Sequence, residues 1–293
     1  MSHIKYQPEV DGLRAVAILS VIVFHANESW LPGGFIGVDM FFVISGYLIA
    51  MILMANSAMT SRTFLVKRVK RILPAYLVVL VAVLAAGVLL MSTEALYQLS
   101  KKVAAALFQV TNITSLSKAS YFNTSSLEKP LLHTWSLAVE WQFYLLVALL
   151  LYVFHKGLKA QTCIVLITVL ALASFCASVY FSLNVEWASH AYYNFASRFW
   201  EFSVGILTAY ICFAGFSKYA RLASYIGAVL FTVGLFLISS ESAFPGYWAL
   251  LPVVGTALII YGSQADNAIK SMLSGRGIVY CGALSYSLYL WHW

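Results

Sequence analysis

Arg14 and His25 stand eleven residues apart in the apolar stretch Val10 to Ala26. At about 100° per residue this spacing returns to nearly the same helix face, with a rise of roughly 16 Å. Costly polar groups inside an apolar helix usually line a cavity or a pathway. Imidazole suits proton transfer near neutral pH, and guanidinium suits a bound anion. The plainer readings are that Arg14 snorkels to lipid headgroups and that His25 makes one interhelical hydrogen bond. Their shared face favours a common interior.

A second set lies farther along the chain. His133, Ser136, Glu140 and Tyr144 fall at i, i+3, i+7 and i+11, a narrow polar stripe on an otherwise apolar helix. A carboxylate in such a place requires a cation, an imidazole or a transferable proton. With Val10 on one side and His133 on the other, His25 is roughly 22 Å in and Glu140 roughly 10 Å in, across about 30 Å of hydrocarbon. The two are therefore expected at nearly the same level, and they meet only if their helix faces are turned toward each other.

The third set is Arg62, Lys67, Arg68, Lys70 and Arg71. Arg68 and Arg71 share a helical face and form a cationic surface suited to phosphates, either of a soluble ligand or of anionic lipid. Three further groups have ordinary readings. Asp39 reads as interfacial or as a second-tier site residue beside the small residues Ser45 and Gly46, Arg198 and Glu201 as an ion pair near the surface, and His292 as interfacial.

The elements that must position these residues are membrane helices. Of 293 residues, 61% are hydrophobic and 10% charged, with a mean hydropathy of +0.84, so the chain reads as an all-α polytopic membrane protein. Nine stretches have spanning character: 10–26, 36–54, 72–91, 133–154, 161–182, 198–214, 222–238, 246–263 and 278–293. They do not alternate as β-barrel strands would. Cytoplasmic loops are rich in Lys and Arg. An N-terminus in the cytoplasm puts Lys5, the five-residue cluster, Lys156, Lys159, Lys218, Arg221, Lys270 and Arg276 inside, twelve of eighteen basic residues. Lys101, Lys102, Lys118 and Lys129 fall in one long outer loop, 92–132, whose segment Thr93 to Thr111 reads as an interfacial or re-entrant amphipathic helix.

The first apolar run reads as a signal anchor, since it contains Arg14 and lacks a small-x-small cleavage site. Cys163, Cys176, Cys212 and Cys281 lie in apolar spans without metal-ligand spacing, so neither a structural disulfide nor a metal site is expected. The net charge of +7 is accounted for by the inside loops, which removes the case for nucleic acid. The final apolar run stops without a flanking loop, and the natural protein is expected to continue beyond residue 293.

Six motifs occur in order: Arg14 to His25 with ten residues between; GlyValAspMetPhePheValIleSerGlyTyrLeu from Gly37; ArgValLysArgIleLeuProAlaTyr from Arg68; HisThrTrpSerLeuAlaValGlu from His133; ArgPheTrpGluPheSerValGly from Arg198; and SerTyrSerLeuTyrLeuTrpHis from Ser285. Together they resemble the acyltransferase family 3 membrane proteins, above all the bacterial branch that O-acetylates O-antigen, lipopolysaccharide, other surface polysaccharides and peptidoglycan. One departure is Trp141, where many relatives carry a second acidic residue, which weakens any scheme based on a carboxylate pair.

The resemblance implies one transmembrane acyltransferase domain over residues 1–293 in the bacterial inner membrane. It would move an acetyl or acyl group from cytoplasmic acyl-coenzyme A, with acetyl-CoA as cosubstrate, to a hydroxyl of an extracytoplasmic glycan. Arg68 and Arg71 would hold the coenzyme A phosphates, and Arg14 would position the pantetheine or phosphate end. His25 would act as base or transient acyl carrier, Glu140 would orient it, and Ser136 or His133 would serve as relay. A C-terminal SGNH hydrolase-like domain follows in many members of the branch. The rival expectation is a secondary transporter or proton-coupled channel using the same Arg, His and Glu.

Overall fold

The computed structural model describes residues 6–56, 58–116, 130–153 and 160–293, and among them every regular element is helical. Helix α1 (Pro8–Ala26) opens with proline in its first turn, where no intrahelical N–H partner is lost. Glu9 and Asp11 follow, where the helix N-terminus favours negative charge. A short turn leads through a buried 3-10 turn, Gly34–Ile36, into α2 (Gly37–Ala55). Helix α3 (Ser61–Leu90) is capped by Thr60, whose hydroxyl accepts from the Thr63 N–H at 3.2 Å. At 30 residues it is about 45 Å long. The basic cluster and the apolar run after it therefore form one continuous helix through Pro74.

Helix α4 (Thr93–Leu107) turns back antiparallel along α3: Leu99 fills the space beside Gly87, and the Tyr76 hydroxyl donates to the Ala106 carbonyl at 3.1 Å. Then come α5 (Thr111–Leu116), α6 (Thr134–Val153), α7 (Ala160–Leu183), α8 (Ala188–Tyr193), α9 (Phe195–Phe213), α10 (Ala220–Leu237) and α11 (Leu250–Gly262). The chain finishes with α12 (Ala268–Leu273), α13 (Arg276–Ala283) and α14 (Ser285–Trp291). Lys5, Lys118, Lys129, Lys156 and Lys159 lie outside the described residues, as do residues 117–129 of the long loop.

Among the described residues five helices are long and apolar enough to cross a membrane: Gly34–Ala55, Ser61–Leu90, Thr134–Val153, Gln161–Leu183 and Ala220–Leu237. The other expected stretches are helical but carry charge, as in α1 and α9, or are shorter, as in Gly246–Gly262. The stretch 278–293 is not one helix. It breaks at Leu284 into α13 and α14, and the bend turns Tyr286, Tyr289 and His292 inward.

The core is built on close backbone approaches. A Cβ on Gly46 of α2 would lie 2.0 Å from the Phe202 carbonyl oxygen of α9, and one on Gly205 of α9 would lie 2.0 Å from the Val43 carbonyl oxygen of α2. Small residues let helices approach in this way where lipid tails are as apolar as any leucine. Beside this seam Phe42, Phe202 and Phe143 stack in series, with centroids 4.7 and 4.4 Å apart, tying α2, α9 and α6 together. Leucine and valine side chains on the outer faces of α3, α7 and α10 are exposed, as a bilayer would allow.

Gly46→Val and Gly205→Val each force two helices apart, which typically costs about 1–3 kcal/mol or more. Each is expected to lower the unfolding temperature of the detergent-solubilised protein by several degrees, read by tryptophan fluorescence. An unchanged transition would show that α2 and α9 do not meet here.

Candidate active site

A cleft enclosing about 840 Å³, its open mouth included, runs between α1, α2, α3, α6 and α14. Its lining gathers Arg14, Arg68, Arg71, Ser136 and Glu140, the residues expected from three separate stretches of sequence, together with Ser45, Tyr144, Tyr286 and Tyr289. At one end Arg71 is exposed, while Arg68 is buried beneath the rings of Phe64 and Tyr144, 5.5 and 5.6 Å from their centroids. Arg68 Nε is buried without a hydrogen-bond partner. Arg14 Nη1 lies 3.3 Å from Asp11 Oδ1, one turn earlier on α1, and the Tyr6 hydroxyl donates to the other oxygen of that carboxylate at 2.8 Å.

The polar stripe of α6 forms the wall of the cleft. The Glu140 carboxylate accepts from the hydroxyls of Ser45 and of Tyr144, the latter at 2.6 Å. One turn higher the Ser136 and Tyr289 hydroxyls are 2.6 Å apart, and both reach the His133 carbonyl, at 3.3 and 2.9 Å. Tyr289 closes this end of the cleft.

The histidines lie beyond it and do not line the cleft. His25 Nδ1 is 2.9 Å from the Val21 carbonyl oxygen and 3.2 Å from His292 Nε2, and the two rings are 4.9 Å apart. The His133 ring is 5.4 Å from that of His292 and 5.6 Å from that of Tyr289. Both His133 nitrogens are buried without a partner at hydrogen-bonding geometry. Among the described residues no group of three or more His, Cys, Asp or Glu is arranged to hold a metal ion. His25 and His292 meet through one nitrogen of each ring, while His133 packs against His292 ring to ring.

This corrects the expected depth of His25. Helix α1 ends at Ala26, so His25 sits in its last turn, level with His133. Glu140 is seven residues further along α6, roughly 10 Å away along the axis, and bonds to Ser45 and Tyr144 instead of His25. The sequence estimate failed because it measured both depths against a uniform slab. His292, read as interfacial, is the histidine that meets His25. Ser45, read as a packing residue, bonds the carboxylate. No spacing rule reveals such contacts between distant segments.

Asp39 is likewise not interfacial. It is 1% exposed, and its Oδ1 lies 2.8 Å from Arg198 Nη1, which is also 2.8 Å from Glu201 Oε1. The expected Arg198–Glu201 pair is present, but as part of a fully buried triad. Arg198 Nε donates to the Tyr192 carbonyl at 3.0 Å, and the guanidinium lies against Trp135, Tyr192 and Phe244. These rings help keep water from the charges, which are at most 1% exposed.

With this geometry in view, the comparisons with known proteins are specific. The family model described as Acyltransferase domain matches residues 7–293. The chain is 33% identical over 310 residues to the Staphylococcus aureus (strain MSSA476) protein named "Putative O-acetyltransferase SAS0844", covering 98% of this chain and 50% of that protein. It is 31% identical over 306 residues to O-acetyltransferase OatA of Staphylococcus aureus (strain NCTC 8325 / PS 47), covering 99% of this chain and 50% of that one. The chain thus spans about half the length of these curated relatives. No solved structure matches it.

The triad carries two carboxylates on one guanidinium. Arg198→Met strands both, and breaking a buried pair typically costs about 3–5 kcal/mol. Glu201→Gln removes surplus negative charge while Asp39 keeps its partner, so its effect is expected to be smaller. Thermal unfolding of both variants in detergent checks the order; the reverse order would exclude the triad as a structural clamp.

Proposed function

The chain belongs to the acyltransferase family whose model it matches along nearly its whole length, and from that premise we propose that it is a membrane O-acyltransferase, in its simplest form an O-acetyltransferase, drawing on acyl-coenzyme A. In this reading the nine apolar stretches cross the bacterial inner membrane with the N-terminus in the cytoplasm. The arginine end of the cleft then faces the cytoplasmic donor, and the histidine end faces a hydroxyl of an extracytoplasmic glycan such as O-antigen, lipopolysaccharide or peptidoglycan.

The observation that carries this reading is the convergence of Arg14, Arg68 and Arg71 on one cleft with a buried donor, Arg68 Nε, left unsatisfied. Unpaired buried donors are costly, and a phosphate oxygen is a fitting acceptor for a guanidinium. Coenzyme A supplies such phosphates together with a long arm ending in a thioester. Arg71 at the mouth and Arg68 beneath it would hold the phosphates, and Arg14 would guide the arm inward.

At the far end the acceptor oxygen would attack the thioester carbonyl, forming a C–O bond as the C–S bond breaks. His25 would take the hydroxyl proton and return it to the departing thiolate, or would carry the acyl group on its nitrogen between the two sides. Either route needs a near-neutral base and a donor for the transient oxyanion. Tyr289 and Ser136 separate the cleft from His25, so they would have to move aside or relay. Glu140 offsets the arginine charges and fixes Ser45 and Tyr144, a role different from orienting His25.

Purified protein in nanodiscs, given radiolabelled acetyl-CoA with and without a glycan acceptor, tests the reading. Glycan-dependent release of coenzyme A with label on the glycan supports it; solute flux without such release would favour a transporter. His25→Ala and Glu140→Ala are each expected to lower transfer by about a hundredfold or more while the protein stays folded in the membrane. The Arg68→Met, Arg71→Met double variant is expected to raise KM for acetyl-CoA by roughly ten- to a hundredfold, as loss of charged hydrogen bonds would. Near-normal transfer by His25→Ala would overturn the assignment.

A further inference from the structure

The two carbonyl contacts of the paired histidines fix where their protons sit. A backbone carbonyl can only accept, so His25 Nδ1, 2.9 Å from the Val21 oxygen, carries a hydrogen. By the same reasoning His292 Nδ1, 2.7 Å from the Tyr289 oxygen, carries one too. In the neutral rings the lone pairs are then on the two Nε2 atoms. A further close approach, His292 Nε2 to His25 Nδ1 at 3.2 Å, thus joins a lone pair to an N–H. His25 Nδ1–H is shared between the carbonyl of its own helix and the imidazole of α14.

The Val21 contact lies within α1 and turns with it. The His292 contact comes from another element, whose neighbouring residue Tyr289 closes the cleft. From this geometry we infer that His292 is the positioning residue of His25: its Nε2 accepts from His25 Nδ1–H, holds the ring at a fixed angle to the cleft end, and leaves Nε2 of His25 as the basic nitrogen. When His25 takes a proton at Nε2, its Nδ1–H becomes a stronger donor and the contact tightens. An acceptor behind a catalytic imidazole acts in this way when it fixes the tautomer and supports the developing cation. The His133 ring, 5.4 Å from that of His292, limits how that acceptor can swing.

The inference rests on the acyltransferase reading for its catalytic consequence but not for the contact itself, and the test separates the two. His292→Phe keeps a ring of similar shape without the acceptor, and His292→Gln restores an acceptor at the end of the side chain. In the glycan acetylation assay His292→Phe is expected to lower kcat at least tenfold with KM for acetyl-CoA within twofold of wild type. His292→Gln is expected to recover most of that loss. Equal kcat in wild type and His292→Phe, or no recovery with His292→Gln at matched thermal stability, would overturn the inference. If wild type transfers no acetyl group, the acyltransferase reading fails, and solid-state NMR of histidine-labelled protein still decides the contact. A nitrogen–nitrogen coupling between His25 Nδ1 and His292 Nε2, lost in His292→Phe, supports it, and its absence in wild type overturns it.

Discussion

Burying charge away from water is so unfavourable that the bundle must be organised around the places where it does so. Asp39, Arg198 and Glu201 are the extreme case, held on one guanidinium nitrogen under a roof of Tyr192, Trp135 and Phe244. Because Asp39 belongs to α2 and the other two to α9, the triad fixes how these helices lie. The facing glycines Gly46 and Gly205 let the backbones close to contact distance. Ser45, next to Gly46, is thereby aimed from α2 at Glu140 on α6. The geometry of the cleft wall thus depends on an ionic cluster that lies outside it.

The cleft has graded chemistry along its length. Three guanidinium groups occupy one end, a carboxylate bonded by two hydroxyls the middle, a Ser–Tyr pair the far end, and histidines stand beyond. Glu140 and Ser136 come from the single polar face of α6 and His133 directly precedes that helix, so one helix sets the spacing of the middle and far end. In the proposed reaction this order matches what a donor brings: anionic phosphates first, a neutral arm next and the reacting carbonyl last.

Much of this was legible in the sequence, and the reasons are physical. The periodicity of His133, Ser136, Glu140 and Tyr144 marks a face, because a helix repeats every 3.6 residues whatever surrounds it. The basic run 62–71 marks a charged helix start in the same local way. Pairing between helices is not local. Nothing in the spacing of Asp39 or His292 says which distant segment it meets, so both defaulted to an interfacial reading. Their neighbours prove to be Arg198, 159 positions away, and His25, 267 positions away. The break at Leu284 was hidden as well, since an apolar run reads as one span until packing shows that its second half bends inward.

The plug formed by Tyr289 and Ser136 has a bearing on life in an energised membrane. Each unit charge that leaks down a potential of 100 mV dissipates about 2.3 kcal/mol, and a water-filled cleft studded with arginines and a carboxylate would be a ready conductor for protons were it open at both ends. Two hydroxyls bonded together on the His133 carbonyl stand at the far end of the cleft. In the proposed reaction the same pair that stands between the cleft and His25 would keep the bilayer electrically tight between turnovers.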